Sequence, residues 1–245
     1  MLQTSLYYLQ RFGLSTAFFV MAYPRAVALL DRDAWLRAIA LLATRSPLSQ
    51  PALVLIQQVT QNLLLIAFNL LVGVLLLTLR RPTRAAERPA HVLVPFVATF
   101  SYLAYGVAEQ LPAPLRDLRL LPDPGPAVLL LSGLLVTGAY LLSFGALLFL
   151  RRSFAVFVEV RRGVMSGPYR TIRHPMYLGY FMVVLALFLA QPSGAYALIS
   201  LVLVAITVFR ARLEEQMLVD HVPGYAGYAK STGMFLPRLR RPPAP

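Results

Sequence analysis

The sequence predicts an all-α, polytopic membrane helical bundle of about six helices, with a short C-terminal helical hairpin and a cytoplasmic C-terminal helix. Three observations predict it. Hydrophobic residues make up 58% of the 245 positions and charged residues 13%, too little polar surface for a soluble domain. The apolar residues gather into long runs. The basic residues sit at the ends of those runs, the positive-inside pattern of membrane proteins. The formal charge of +13 therefore reads as topology. No interleaved basic and aromatic surface remains for nucleic acid once the spans are removed. The chain has no cysteine, which excludes disulfides, thiolate metal sites and cysteine nucleophiles. His91, His174 and His221 lie far apart and form no local metal motif, so no metal is expected.

Met1 to Arg11 reads as a short polar lead, followed by a first span from Phe12 to Leu30, kinked at Pro24. It lacks a strongly basic start and a small-residue cleavage site, so it is retained rather than removed as a signal. Asp31 to Pro51 is a mixed-charge loop holding a short amphipathic helix over Ala34–Thr44. Ala52 to Leu79 is the clearest span, and its Gln58, Asn62 and Asn69 share one helical face that should point into the bundle. His91 to Leu111 is a third span, with Tyr102, Tyr105 and Glu109 on a common face. A proline-rich loop, Pro112 to Pro126, leads to a fourth span, Ala127 to Leu150, in which Gly133, Gly138 and Gly145 would permit close helix contact.

Arg80, Arg81, Arg84 and Arg88 follow the second span, and Arg151, Arg152, Arg161, Arg162, Arg170 and Arg173 follow the fourth. With Arg210, Arg212, Lys230, Arg238, Arg240 and Arg241 they mark the cytoplasmic side, which puts both termini in the cytoplasm. Residues 1–150 thus form a substrate-side membrane scaffold and 151–245 a separate functional region. That region holds the one polar, aromatic and turn-rich interruption, Gly167 to Gly179. Behind it come a short run, Met176 to Ala190, the turn Gln191-Pro192-Ser193-Gly194, and a second short run, Ala195 to Phe209. At about 1.5 Å per residue the first arm falls short of a hydrocarbon core of about 30 Å. The hairpin returns the chain to the face it left, so Arg173-His174-Pro175 and Arg210 to Glu215 should meet.

From Leu150 to Pro237 the residues carry a resemblance. Arg152-Ser153-Phe154, Gly167-Pro168-Tyr169 and Arg173-His174-Pro175-x-Tyr177-x-Gly179 come before the hairpin. Arg210-x-x-x-Glu214-Glu215-x-x-Leu218, Tyr225-x-x-Tyr228 and Pro237 come after it. In order and spacing this resembles the isoprenylcysteine carboxyl methyltransferase family, with its phospholipid N-methyltransferase and thiol methyltransferase relatives. The resemblance covers about the last third of the chain. It implies methyl transfer from S-adenosylmethionine at the membrane surface, in a pocket built without a Rossmann domain. Carried onto this chain, it implies that Tyr169, His174, Pro175, Tyr177, Leu178, Gly179, Glu214 and Glu215 bind the cofactor.

The residue types suit such a ligand. Glu214 or Glu215 can accept from ribose hydroxyls or the ammonium, Arg173 can take the carboxylate and Tyr177 can stack on adenine. Arg210 or Arg212 is the candidate cation for orienting an ionised nucleophile; an amine or thiol would need His174 or a glutamate to take its proton. The partner expected is a lipophilic or amphiphilic small molecule in membrane lipid. The arginine-rich composition, with Lys230 as the only lysine, suggests a prokaryotic inner membrane and argues against a prenylcysteine. Two other readings stand beside this one. A nicotinamide-dependent sterol or enone reductase shares the late His-Pro, Tyr and Gly pattern, but carries Asn and Asp where this chain has Met176 and Tyr180. The second is a non-catalytic membrane subunit that keeps the fold.

Overall fold

A computed structural model describes residues 2–31, 50–86, 88–161 and 163–238, together with Leu36, Ile39, Ala40 and Ala43. Apart from those four positions the helix expected over Ala34–Thr44 lies outside the described residues, as do Arg32, Arg37, Arg45, Arg162, Arg240 and Arg241. Helix α1 is built of Leu2–Tyr8, a π-helical stretch Leu9–Leu14, and Ser15–Leu29. Then follow α2 (Gln50–Leu77), α3 (Ala90–Phe100, continuing as a 3-10 helix over Ser101–Gln110) and the short α4 (Ala113–Arg116). The chain ends with α5 (Pro126–Leu150), α6 (Pro175–Ala190), α7 (Gly194–His221) and α8 (Tyr225–Ser231). Five of these are long and apolar enough to cross a membrane, and α6 is a sixth, shorter apolar helix. The protein is a polytopic helical membrane bundle.

The helices pack as a ring in the order α1, α2, α5, α6, α7, α3. Phe18 of α1 meets Phe100 of α3 to complete it, ring centroids 6.0 Å apart. Many large apolar side chains, such as Leu63, Leu134, Leu141 and Leu201, point outward, as suits a hydrocarbon solvent, and polar groups tie the helices together inside. Ser15 donates to the Gly73 carbonyl at 2.9 Å. Gln57 donates to Ser132, which in turn donates to the Ala186 carbonyl, so one hydroxyl links α2, α5 and α6.

Several elements differ from the sequence reading, each for a physical reason. The first helix begins at Leu2, so the polar lead is helical and buried on one side: Tyr7 and Gln10 face the bundle. The chain also stays helical through Pro24 as far as Leu29. In α2 the face of Gln58, Asn62 and Asn69 is not uniformly internal, because only Asn69 is buried and Gln58 is exposed. Gln57, one residue earlier, makes the interhelical bond instead. Of the α5 glycines, a Cβ at Gly133 or Gly145 would meet open space, while one at Gly138 would lie 3.4 Å from Met182 of α6, an ordinary contact. The close approach is made by Gly179 of α6, where a Cβ would lie 2.5 Å from Ser143 Oγ and 2.8 Å from the Ala139 carbonyl. Finally, the second arm of the hairpin does not stop at Phe209, because α7 runs on as one 28-residue helix to His221.

The proline-rich loop is pinned to that hairpin. Leu120 N–H donates to the Pro192 carbonyl and Gly194 N–H to the Leu118 carbonyl, while Ser193 caps α7 through Tyr196 N–H. A Cβ at Gly194 would press on the Leu115 carbonyl at 2.8 Å, so the tip of the hairpin tolerates no side chain.

Gly179→Ala should lower the thermal midpoint of the detergent-purified protein, overpacking of this kind costing about 1–3 kcal/mol. Gly133→Ala should leave it unchanged or raise it slightly, and equal effects at the two positions would contradict the α5–α6 contact described above.

Candidate functional site

The hairpin does bring the two charged segments together. His174 ends an extended stretch whose N–H donates to the Met234 carbonyl, beside an Arg173 N–H bonded to the Gly233 carbonyl. Pro175 then opens α6 at a position where no N–H is needed and φ is already helical. One turn on, Tyr177 lies parallel to the His174 ring, centroids 5.2 Å apart. From the other arm, α7 presents Arg210 and Glu214 one turn apart, with Glu215 next to them.

These side chains form one network. Glu215 Oε1 accepts from Arg173 Nε at 2.8 Å and Tyr225 OH at 3.1 Å, and lies 2.9 Å from His174 Nε2. Glu214 Oε1 accepts from Tyr177 OH and from Arg210 Nε at 3.0 Å. His174 Nδ1 is 3.9 Å from Glu214 Oε2, so the imidazole sits between the two carboxylates. Among the described residues every hydrogen bond on these carboxylates falls on Oε1. The Oε2 atoms retain their acceptor capacity.

Arg210 is buried, and its donors are already engaged. Nη1 donates to Thr99 Oγ1 at 2.9 Å and more weakly to the Pro95 carbonyl, Nη2 donates to the Val156 carbonyl at 2.9 Å, and the guanidinium lies 5.4 Å from the Tyr177 ring centre. All three of its guanidinium nitrogens are thus bonded within the protein, the geometry of a cation that holds Glu214 and Tyr177 in place. Arg212 is exposed on another face of α7 and takes no part in the network. Arg173 is also committed, since Nη1 donates to the Ala229 and Thr232 carbonyls, but Nη2 carries no hydrogen bond among the described residues.

Of the remaining candidates, Tyr169 is buried, and its carbonyl accepts from Tyr228 OH. It is delivered by Gly167, whose φ of 59° and contact with the Phe149 ring admit no Cβ. Leu178 is partly buried. Pro175 and Gly179 are buried, and Gly179 faces α5 rather than the carboxylates, which makes it a packing residue that seats α6. Tyr225 and Tyr228 stack edge to face on α8 and close the cluster from the C-terminal side. Burial, and then the charge of Glu215, push the Tyr225 phenol above its ordinary value; burial pushes Tyr228 up to about 12, so both stay protonated donors at neutral pH. The tail returns over the site, with Phe235 packed against His174 and Phe181.

Sequence reasoning missed the support beneath this cluster. The segment between α5 and the Gly-Pro-Tyr turn is extended and buried, with Phe157, Val156 and Val158 at 2% exposure or less. Pro95 has no N–H to give the carbonyl four residues earlier, and that freed His91 carbonyl accepts from Val158 N–H at 2.9 Å. Glu159 and Arg161 form an ion pair of 2.8 Å with side chains 1% and 2% exposed. Arg161 also donates to the Arg80 and Phe154 carbonyls. Burial pushes the Glu159 carboxyl up from its usual range, while Arg161 and a hydrogen bond from Gln10 pull it back. The signal available was the pair of charges in Val158-Glu159-Val160-Arg161, set in an otherwise apolar run; Gln10 gave none.

Residues 127–222 match the family model of phospholipid methyltransferases. The match begins within the first turn of α5 and ends just past α7, so it takes in Tyr169, Arg173, His174, Tyr177, Arg210, Glu214 and Glu215. A relative, the cobalt-zinc-cadmium resistance protein CzcN of Cupriavidus metallidurans, is 30% identical over 89 residues, 35% of this chain and 41% of that protein. The chain thus spans about two fifths of the length of the relative it matches. The family match, together with the apolar helices, supports a membrane methyltransferase.

Glu159→Ala would leave Arg161 buried and unpaired, which should cost about 3–5 kcal/mol. Replacing both by apolar residues, Glu159→Leu with Arg161→Met, should cost far less. Unfolding in detergent titrations measures both, and a larger loss for the double variant would contradict the ion-pair assignment.

Proposed function

We propose that the chain is an integral membrane methyltransferase that moves the methyl group of S-adenosylmethionine to a nucleophile at the cytoplasmic face of a prokaryotic inner membrane. The acceptor is a carboxylate, amine or thiol on a lipophilic or amphiphilic molecule. The observation that carries the reading is the pairing of Glu214 and Glu215 across His174, with every hydrogen bond on the two carboxylates falling on Oε1 among the described residues. Two adjacent carboxylates, each held by protein cations on one oxygen and retaining acceptor capacity on the other, match a ligand that offers an ammonium and a ribose diol. The finer resemblance to isoprenylcysteine carboxyl methyltransferases, set out from the Arg-His-Pro and Glu-Glu segments, belongs to this proposal.

In that reading His174, Tyr177, Glu214 and Glu215 bind the cofactor, with Tyr169 and Tyr225 closing the pocket and Arg173 offering its remaining N–H groups to the carboxylate. Pro175, Leu178 and Gly179 set the start of α6. When bound, the cofactor supplies a sulfonium-activated methyl group that leaves by in-line displacement. The protein's part is alignment and exclusion of water, and alignment alone can supply up to about 7–11 kcal/mol of a barrier. A carboxylate acceptor arrives ionised; an amine or thiol loses its proton to His174 or to one of the two glutamates. His174 Nε2 is held by Glu215, which fixes the ring orientation for either task.

Calorimetry on the purified protein in lipid nanodiscs should show saturable binding of S-adenosylmethionine and none of NADPH. His174→Ala and Glu214→Ala should each weaken binding at least tenfold, a loss of about 1.4 kcal/mol, with unchanged membrane insertion. Wild-type protein without affinity for S-adenosylmethionine would overturn the proposal. A radiolabelled methyl donor offered with total host lipids, small thiols and prenylcysteine analogues would then identify the acceptor.

A further inference from the structure

We propose that Gln10, on the first helix, is a positioning residue for the carboxylate cluster, acting through the Val156 peptide and Arg210; this rests on the methyltransferase reading of the cluster. Gln10 is fully buried, although it sits in the stretch that looks most like a terminal tail. The π-helical turn Leu9–Leu14 widens the helix locally, the kind of irregularity that re-aims a side chain. Ser15 Oγ on the Gly73 carbonyl and Tyr7 OH on the Leu79 carbonyl fix α1 on either side of it.

The connection is continuous in hydrogen bonds. Gln10 Oε1 accepts from Val156 N–H at 3.0 Å and Phe157 N–H at 3.2 Å. Its Nε2 donates to Glu159, whose other oxygen holds Arg161. On the far side of the same residue, the Val156 carbonyl accepts from Arg210 Nη2, and Arg210 Nε holds Glu214 Oε1. Val156 has no side-chain polarity of its own. Its carbonyl shares one planar trans peptide with the Phe157 N–H and points the opposite way, so Gln10, by accepting from that N–H and from the Val156 N–H before it, holds the carbonyl toward Arg210. Removing Gln10 leaves two buried amides unpaired, and the segment shifts to find partners. Arg210 then loses the acceptor that sets its plane, and Glu214 and Tyr177 lose their common anchor. The residue touches no ligand and acts only on the placement of those that do.

The test is a set of double-variant comparisons in nanodiscs. Gln10→Met should weaken S-adenosylmethionine binding about tenfold, and should add little to the loss caused by Arg210→Lys, because both act on one network. The same change combined with Arg173→Lys, on the Glu215 branch, should be multiplicative; a general loss of stability would treat both backgrounds alike. Exchanging the pair, Gln10→Glu with Glu159→Gln, keeps an acceptor at Val156 and the net charge, and should restore affinity. Multiplicative effects with Arg210→Lys, or wild-type affinity in Gln10→Met, overturn the relay. Should the wild-type protein bind no S-adenosylmethionine, the functional reading falls but the relay is still decided, by the guanidinium nitrogen resonances of Arg210 in 15N-arginine-labelled protein. They should move in Gln10→Met while those of Arg173 stay, and an unmoved Arg210 signal overturns it.

Discussion

Arg210 is the constraint on which the lower half of the bundle depends. A guanidinium buried among membrane helices is tolerated only when paired and hydrogen-bonded. Its acceptors come from Thr99 and Pro95 on α3, Val156 on the linker and Glu214 on α7, with the Tyr177 ring of α6 beneath it. Three helices and a linker therefore have to be in register before the charge is satisfied. The same requirement aligns Glu214 with Tyr177, so fold specificity and site geometry share one group.

The linker is the less obvious half of this arrangement. It is neither helix nor sheet, yet it is buried, so each of its peptide groups needs a partner from elsewhere. Those partners are supplied by two irregularities in the helices around it, a π-helical turn that aims Gln10 and a proline that frees the His91 carbonyl, and by an isolated bridge from Arg84 in the loop after α2 to Val160. Irregular backbone persists here because protein surrounds it and supplies its hydrogen-bond partners. Arg161 completes the seal by reaching the Arg80 and Phe154 carbonyls.

How much of this was legible follows from the range of the forces involved. Span number and approximate limits could be read because hydropathy is a local sum, and the return of Arg210–Glu215 to His174 because a hairpin has one geometric outcome. That Glu214 and Glu215 come to lie beside His174 followed from the same hairpin, while their candidacy as ligand contacts came from the family resemblance. The roles of the arginines were not, because saturation depends on partners such as Val156 and Thr99, more than 50 residues away in the chain. The tight contact of Gly179 with α5 and the open space beside Gly133 and Gly145 were not legible, because a glycine's neighbour is not written beside it. Gln10 was missed for a related reason: nothing local distinguishes a π-helical turn from a polar start.

Helix α6 has 16 residues, a rise of about 24 Å against a hydrocarbon thickness of about 30 Å. Its polar end, where His174 and the two glutamates meet, is tied to a tip pinned on the opposite side by the Leu118 and Pro192 carbonyls. In a hydrocarbon core of that thickness the tip and the cluster cannot both lie outside the lipid chains unless the bilayer thins around them. For an acceptor with an alkyl tail, each methylene drawn out of the bilayer would cost about 0.8 kcal/mol. A cluster drawn inward in this way would lower that extraction work, since the nucleophile of such an acceptor could reach it while most of the tail stayed where it was dissolved.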